Sequence, residues 1–190
     1  MENRTALITG GTGRLGGELV KIYLKEGYKL ILIDKNEEKL KEIQNENIKI
    51  IVCDLADCNN LYSIAQQLEK EKIDIFINCV VDMNVCTNIN EMYYQLNTNF
   101  VFPILLSKVI SHLNNRVKTI FINSNAGINT SSGADLYCAA KYGLRGFAEA
   151  MKQCGHDVIS FYPNHISDYK KLAELIYQEA HYNEKIDSIY

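Results

Sequence analysis

Apolar residues fall along this chain in two alternating rhythms. Short, nearly continuous apolar runs are "TALIT" (5–9), "KLILID" (29–34), "IKIIVCD" (48–54), "IDIFIN" (73–78), "VKTIFIN" (117–123) and "DVISFY" (157–162). Between them lie longer stretches in which apolar positions recur every three or four residues. The first kind predicts strands. The second predicts helices at about 14–26, 36–45, 58–71, 91–114, 135–153 and 167–181. A last short strand is expected in "KIDSIY" (185–190). Strands without polar alternation are buried on both faces. Repeated strand–helix units predict right-handed crossovers and a parallel sheet covered by helices on both sides. The expected fold class is therefore α/β, a single Rossmann-like doubly wound domain over residues 1–190. No linker, repeat or low-complexity segment interrupts it.

The first strand runs directly into "TGGTGRLGGELV" (9–20), which opens a helix. Gly10, Gly13 and Gly16 fit a G-x-x-G-x-x-G turn. Side chains there would block a tight bend, a close phosphate approach or helix–strand packing. The helix start offers unpaired N–H groups and partial positive charge, so Thr12, Arg14 and Leu15 are expected beside a dinucleotide pyrophosphate together with the three glycines. Asp34 ends the second strand, where a carboxylate accepts from an adenosine ribose and repels an extra phosphate. That favours NAD, with NADP open because Arg14 and Lys35 lie close by in sequence. The lesser alternative for Asp34 is a strand-terminal cap. Asp54, followed by Leu55 in "CDLAD", is either an adenine contact or a turn residue.

The other candidate chemistry lies in "GADLYCAAKYGLRGF" (133–147), where Tyr137 precedes Lys141 by one helical turn. With twelve tyrosines and sixteen lysines in 190 residues, chance supplies about one Tyr-x-x-x-Lys, so the pair means little alone. Residues i and i+4 share a helix face. A neighbouring ammonium would lower the phenol's pKa, fitting Tyr137 for general acid–base work. Ser124, in "FINSNAG", stands thirteen residues before Tyr137 at a strand's carboxyl end and could hold a substrate oxygen. Pro103 has no N–H for the carbonyl of Asn99, so a helix kink is expected there.

Taken together, the glycine turn, Ser124, Tyr137 and Lys141 resemble the short-chain dehydrogenase/reductase family over residues 4–165. The resemblance implies an oxidoreductase that interconverts an alcohol and a carbonyl by hydride transfer, with Lys141 also on the nicotinamide ribose. It implies a fourth member, Asn97 in "QLNTNFVFPILL", holding a water that links Lys141 to solvent. Asn99 competes for that role, but Phe102 falls five residues after Asn97, as in the family. It also implies a homodimer or homotetramer paired through helices 91–114 and 135–153.

Some positions depart from that pattern. Arg14 stands where the commonest branch has a glycine, nearer the sugar-nucleotide branch. The Asn-Asn-Ala-Gly after the fourth strand reads "NCVV" (78–81), keeping Asn78 alone as a cofactor contact. The chain passes from "YPNHI" almost directly into a helix, without the family's substrate lid. These departures keep two other readings open: a non-catalytic NAD(H)-binding regulatory or scaffold protein, and an NAD-dependent sugar epimerase or dehydratase.

Composition trims the list of partners. A formal charge of −3 with scattered lysines argues against nucleic acid. Six cysteines without C-x-x-C and four unclustered histidines give no metal site, and predict reduced thiols. No apolar run reaches the length of a membrane span, and "MENRTALITG" has no signal-peptide core, so a cytoplasmic protein is expected.

Overall fold

The computed structural model describes residues 4–43 and 45–182. Among the described residues there are six parallel strands: β1 (Thr5–Thr9), β2 (Lys29–Asp34), β3 (Ile48–Val52), β4 (Ile75–Asn78), β5 (Lys118–Ile122) and β6 (Val158–Phe161). Their order across the sheet is β3-β2-β1-β4-β5-β6. The chain winds outward from β1 to β3, returns to β4, and winds outward again. The carboxyl ends of β1 and β4 therefore diverge into a crevice, the usual ligand position in such sheets. The strand expected at 185–190 lies outside the described residues.

Among the described residues, six α-helices connect the strands, α1 (Arg14–Lys25), α2 (Glu37–Glu42), α3 (Asn60–Leu68), α4 (Ile89–Leu96), α5 (Phe102–Leu113) and α6 (Asp135–Gln153), and α7 (Tyr169–Tyr182) follows β6. Alternate strand residues feed opposite faces of the sheet. Ala6, Ile8, Leu30, Leu32, Ile77 and Ile120 pack with Leu19 and Tyr23 of α1 and Ala173 and Ile176 of α7. On the other side, Leu7, Ile31 and Phe76 pack with Ile64 of α3 and Leu106 and Ile110 of α5, while Phe121 packs with Leu144 and Ala148 of α6. The expected doubly wound architecture is what forms. Among the described residues, no helix is long and apolar enough to cross a membrane, and no His/Cys/Asp/Glu group of three or more is placed to hold a metal.

The helix expected at 91–114 is not one regular helix. Between α4 and α5, residues Asn97–Val101 form a π turn, in which the Phe102 N–H donates to the Asn97 carbonyl five residues back. Pro103 cannot supply a donor there, and the ladder absorbs the defect by widening rather than breaking.

Helix α7 is anchored at its C-terminal end. Lys118 Nζ donates to Ala180 O at 2.6 Å, and the His181 ring stacks on Tyr177 at 4.1 Å. His181 Nδ1 lies 2.7 Å from Tyr177 O, which only accepts, so Nε2 receives the Tyr28 hydroxyl at 2.6 Å in the neutral ring. Burial holds the pKa of His181 below its ordinary value, outweighing the Tyr177 carbonyl, while Arg4 and Lys118 add to the lowering. The folded state then binds fewer protons than the unfolded chain, so stability is lost as pH falls below about 6.5. Melting temperature should decline over that range in the wild type, and His181→Phe should flatten that part of the decline. Equal slopes would show that the ring does not titrate on unfolding.

Candidate active site

The crevice between β1 and β4 holds two adjoining lobes, of about 300 and 450 Å³, which share Gly10, Gly13, Cys79 and Val81. The smaller lobe lies toward β2 and β3 and is lined by Thr12, Asp34, Lys35, Asp54, Leu55 and Tyr94, among others. The larger lies toward β5 and α6 and includes Arg14, Leu15, Gly16, Ser124, Tyr137 and Lys141.

The glycine turn forms the floor where they meet. Gly10 has φ +71°, a left-handed conformation that favours glycine. A Cβ on Gly16 would stand 2.1 Å from Gly10 O, so only glycine lets α1 start this close to β1. No side chain caps the N-terminus of α1, and its first turn holds no acidic residue. That leaves backbone donors and a partial positive charge facing the crevice. Asp34 fastens the turn to β2: its Oδ2 accepts from Thr12 N at 3.0 Å and Thr12 Oγ1 at 2.7 Å, while Oδ1 accepts from Asn36 N. The capping reading of Asp34 is thus realised. Oδ1, with one donor, keeps lone-pair capacity for a ligand.

Asp54 likewise caps a turn, accepting from Ala56 N at 3.0 Å, and it also receives the Tyr94 hydroxyl at 3.3 Å. Lys35 Nζ donates to that same Tyr94 oxygen and lies 4.9 Å from the ring centroid. The hydrogen bond from Lys35 to Tyr94 raises the lysine's pKa. Asn78, at the end of β4, accepts from Thr9 Oγ1, but its buried Nδ2 has no partner. An orphaned buried donor, a glycine cradle and an uncapped helix start all suit a bound dinucleotide.

In the larger lobe the residues found by spacing converge. Ser124, two residues past the end of β5, accepts from Ala126 N at 3.1 Å and caps a single 3-10 turn over Asn125–Gly127. Tyr137 and Lys141 project from the first two turns of α6, with Lys141 Nζ 5.6 Å from the Tyr137 ring centroid. Lys141 is 1% exposed and donates to Ile122 O at 3.3 Å. Burial lowers its pKa to about 8. Burial also raises the Tyr137 phenol, with the Ser124 hydrogen bond pulling the other way. The expected lowering of the phenol by Lys141 is therefore not what this site displays. The lysine is itself desolvated, and the cost of burying a phenolate prevails. Tyr137 stands protonated, ready to give a proton.

One residue escaped the sequence reading. Asn123, 4% exposed, donates through Nδ2 to Lys141 O at 3.2 Å and accepts through Oδ1 from Ser124 N at 3.0 Å. It fixes the serine strand against the lysine helix, and only its place beside Ser124 hinted at this.

Asn97 turns its side chain to the loop after β3. Its Nδ2 donates to Ala56 O at 2.9 Å, and it does not line the lobe that holds Lys141. Asn99, 1% exposed, instead clasps the segment after β4: Nδ2 donates to Asp82 O at 2.6 Å and Oδ1 accepts from Asp82 N at 3.0 Å. Gln95 Nε2 donates to Asn84 O at 2.7 Å in the same segment. The π turn sets which way each side chain leaves the helix, and that register is invisible in the spacing alone.

A family model for short chain dehydrogenases matches residues 4–159. The 3-oxoacyl-(acyl-carrier-protein) reductase FabG of Rickettsia bellii is 31% identical over 163 residues, covering 80% of this chain and 66% of that protein. Dehydrogenase/reductase SDR family member 7 of Mus musculus is 29% identical over 175 residues, covering 82% and 51%. Among solved structures, Escherichia coli serine dehydrogenase superposes with a TM-score of 0.82 at 19% identity, covering 93% of this chain and 91% of that one. A metagenomic short-chain oxidoreductase in complex with NADP gives 0.79 at 20%, covering 93% and 90%. The chain thus spans somewhat less than two thirds of the length of the first of these relatives.

Proposed function

This chain belongs to the short-chain dehydrogenase family, and from that premise we propose that it is an NAD(P)-dependent oxidoreductase interconverting an alcohol and a carbonyl. The observation that carries the reading is the meeting of Ser124, Tyr137 and a buried Lys141 in the lobe bordered by the glycine turn. When bound, the nicotinamide cofactor supplies or accepts the hydride. Ser124 holds the substrate oxygen by a hydrogen bond. Tyr137, protonated through burial, gives its proton to that oxygen as the carbonyl is reduced. Lys141 keeps donors beyond its bond to Ile122 O for a ribose hydroxyl. Gly10, Gly13, Gly16, Thr12, Arg14 and Leu15 would cradle the pyrophosphate, with Asp34, Asp54 and Leu55 at the adenosine end and Asn78 beside the nicotinamide. Asn97, in the π turn packed against α6, would hold the water that links Lys141 to solvent.

The FabG relative is named for a 3-oxoacyl substrate, and the substrate of this chain is a small carbonyl or alcohol. The protein works in the cytoplasm as a homo-oligomer of Rossmann-like domains paired through α4–α5 and α6. Leu105 and Tyr142, exposed on α5 and α6, support that pairing. The test is NADH and NADPH oxidation against a panel of ketones and aldehydes, with cofactor affinity measured by fluorescence in parallel. Turnover of at least one carbonyl is expected. Tight cofactor binding with no turnover across the panel would favour a regulatory or scaffold role instead.

A further inference from the structure

The smaller lobe carries two charged groups, Lys35 and Asp82, to which the proposed function gives no role. Three carboxylates line it, Asp34, Asp54 and Asp82, and Lys35 is the one basic side chain among its lining residues. Asp34 is fixed by Thr12 and Asn36, with its carboxylate facing the lobe. A ribose hydroxyl suits that carboxylate, whereas a 2′-phosphate would need a cation to offset it. Lys35 follows Asp34 directly, and its ammonium group is held elsewhere. It donates to the Tyr94 hydroxyl and lies over the Tyr94 ring, and the same hydroxyl donates on to Asp54. Tyr94 comes from α4, fifty-nine residues away in sequence. Three separate elements thus meet at one phenol oxygen, which accepts a hydrogen bond from the cation and donates one to the anion.

We infer that Tyr94 sets cofactor choice by tethering Lys35, which leaves the adenosine end of the cleft acidic and selective for the cofactor without a 2′-phosphate. Tyr94 acts through Lys35 and is a positioning residue. The inference rests on the proposal that the cleft binds NAD(P), and it needs no assumption about substrate.

The test measures binding alone, by titrating NADH and NADPH fluorescence on the whole purified protein. Wild type should bind NADH more tightly. Tyr94→Phe keeps the ring and removes the oxygen, so Lys35 is free to meet a 2′-phosphate. The affinity ratio should move toward NADPH by about three- to fivefold, the range of an exposed ion pair. Lys35→Met in the Tyr94→Phe background should undo that gain, while Lys35→Met alone should change the ratio by less than about twofold. An unchanged ratio in Tyr94→Phe, with NADH still bound, would overturn the inference and leave the proposed function standing. So would equal weakening of both cofactors, which marks a merely structural tyrosine, or a full loss of NADPH affinity from Lys35→Met alone. Failure of wild type to bind either nucleotide would bring down the inference and the proposed function together.

Discussion

Tyr137→Phe should lower carbonyl reduction by about 10²–10⁴-fold on any carbonyl the protein turns over, the usual contribution of a positioned acid. NADH affinity should stay within about twofold, because the ring remains and only the hydroxyl is lost. The physical basis is the environment of the phenol. Burial keeps it protonated, Ser124 orients it, and Lys141 lies 5.6 Å from its ring centroid with few other partners. Removing the hydroxyl leaves the pocket's shape intact while taking away the proton that must reach the substrate oxygen. Steady-state rates and NADH titrations on the same preparation separate these effects. A variant that reduces the carbonyl at the wild-type rate would remove Tyr137 from the mechanism. Loss of NADH binding in step with rate would recast the residue as part of the cofactor floor.

Gly16→Ala should have the largest effect on the fold of the cleft. Its Cβ would lie 2.1 Å from Gly10 O, 2.9 Å from Gly10 C and 3.0 Å from Gly11 Cα. All three are backbone atoms of the preceding turn, so no side chain can swing aside. Overpacking of this kind costs up to about 3 kcal/mol. For a chain of this size that is a fall in melting temperature of about 6–12 °C. Any relief must move the turn away from the start of α1, so NADH affinity should fall as well. Gly17 is the control. Its nearest neighbour for a Cβ is Gly11 O at 3.8 Å, an ordinary contact. Gly17→Ala in the interior of α1 should therefore be neutral or stabilising, by up to about 1 kcal/mol. If the two alanines behave alike in thermal melts and titrations, the close approach of helix to strand is not what the glycine serves.

Much of this architecture could be read from the chain because its signals are local. The six apolar runs became the six described strands, shortened at their ends where "IKIIVCD" and "IDIFIN" pass into turns. The glycine turn, Ser124, Tyr137 and Lys141 could be found because each sits at the end of an element whose type was plain. What escaped depends on tertiary distance. Asn97 and Asn99 are two residues apart, and their side chains part company only through bonds to Ala56 and Asp82. The phenol's pKa followed from burial rather than from the lysine one turn on, and burial is not a property of spacing. Tyr94 carried no signal at all, since its partners lie on two other loops.

The fastening of the larger lobe has a consequence for how its specificity can change. Asn123 locks the serine strand to the lysine helix, whereas the facing segment after β4 hangs on Asn99 and Gln95. Reaction chemistry and the wall opposite it are thus bolted to different parts of the frame. Side-chain changes in residues 82–88 that keep the main-chain groups held by Asn99 and Gln95 would reshape that wall and leave the Asn123 fastening in place.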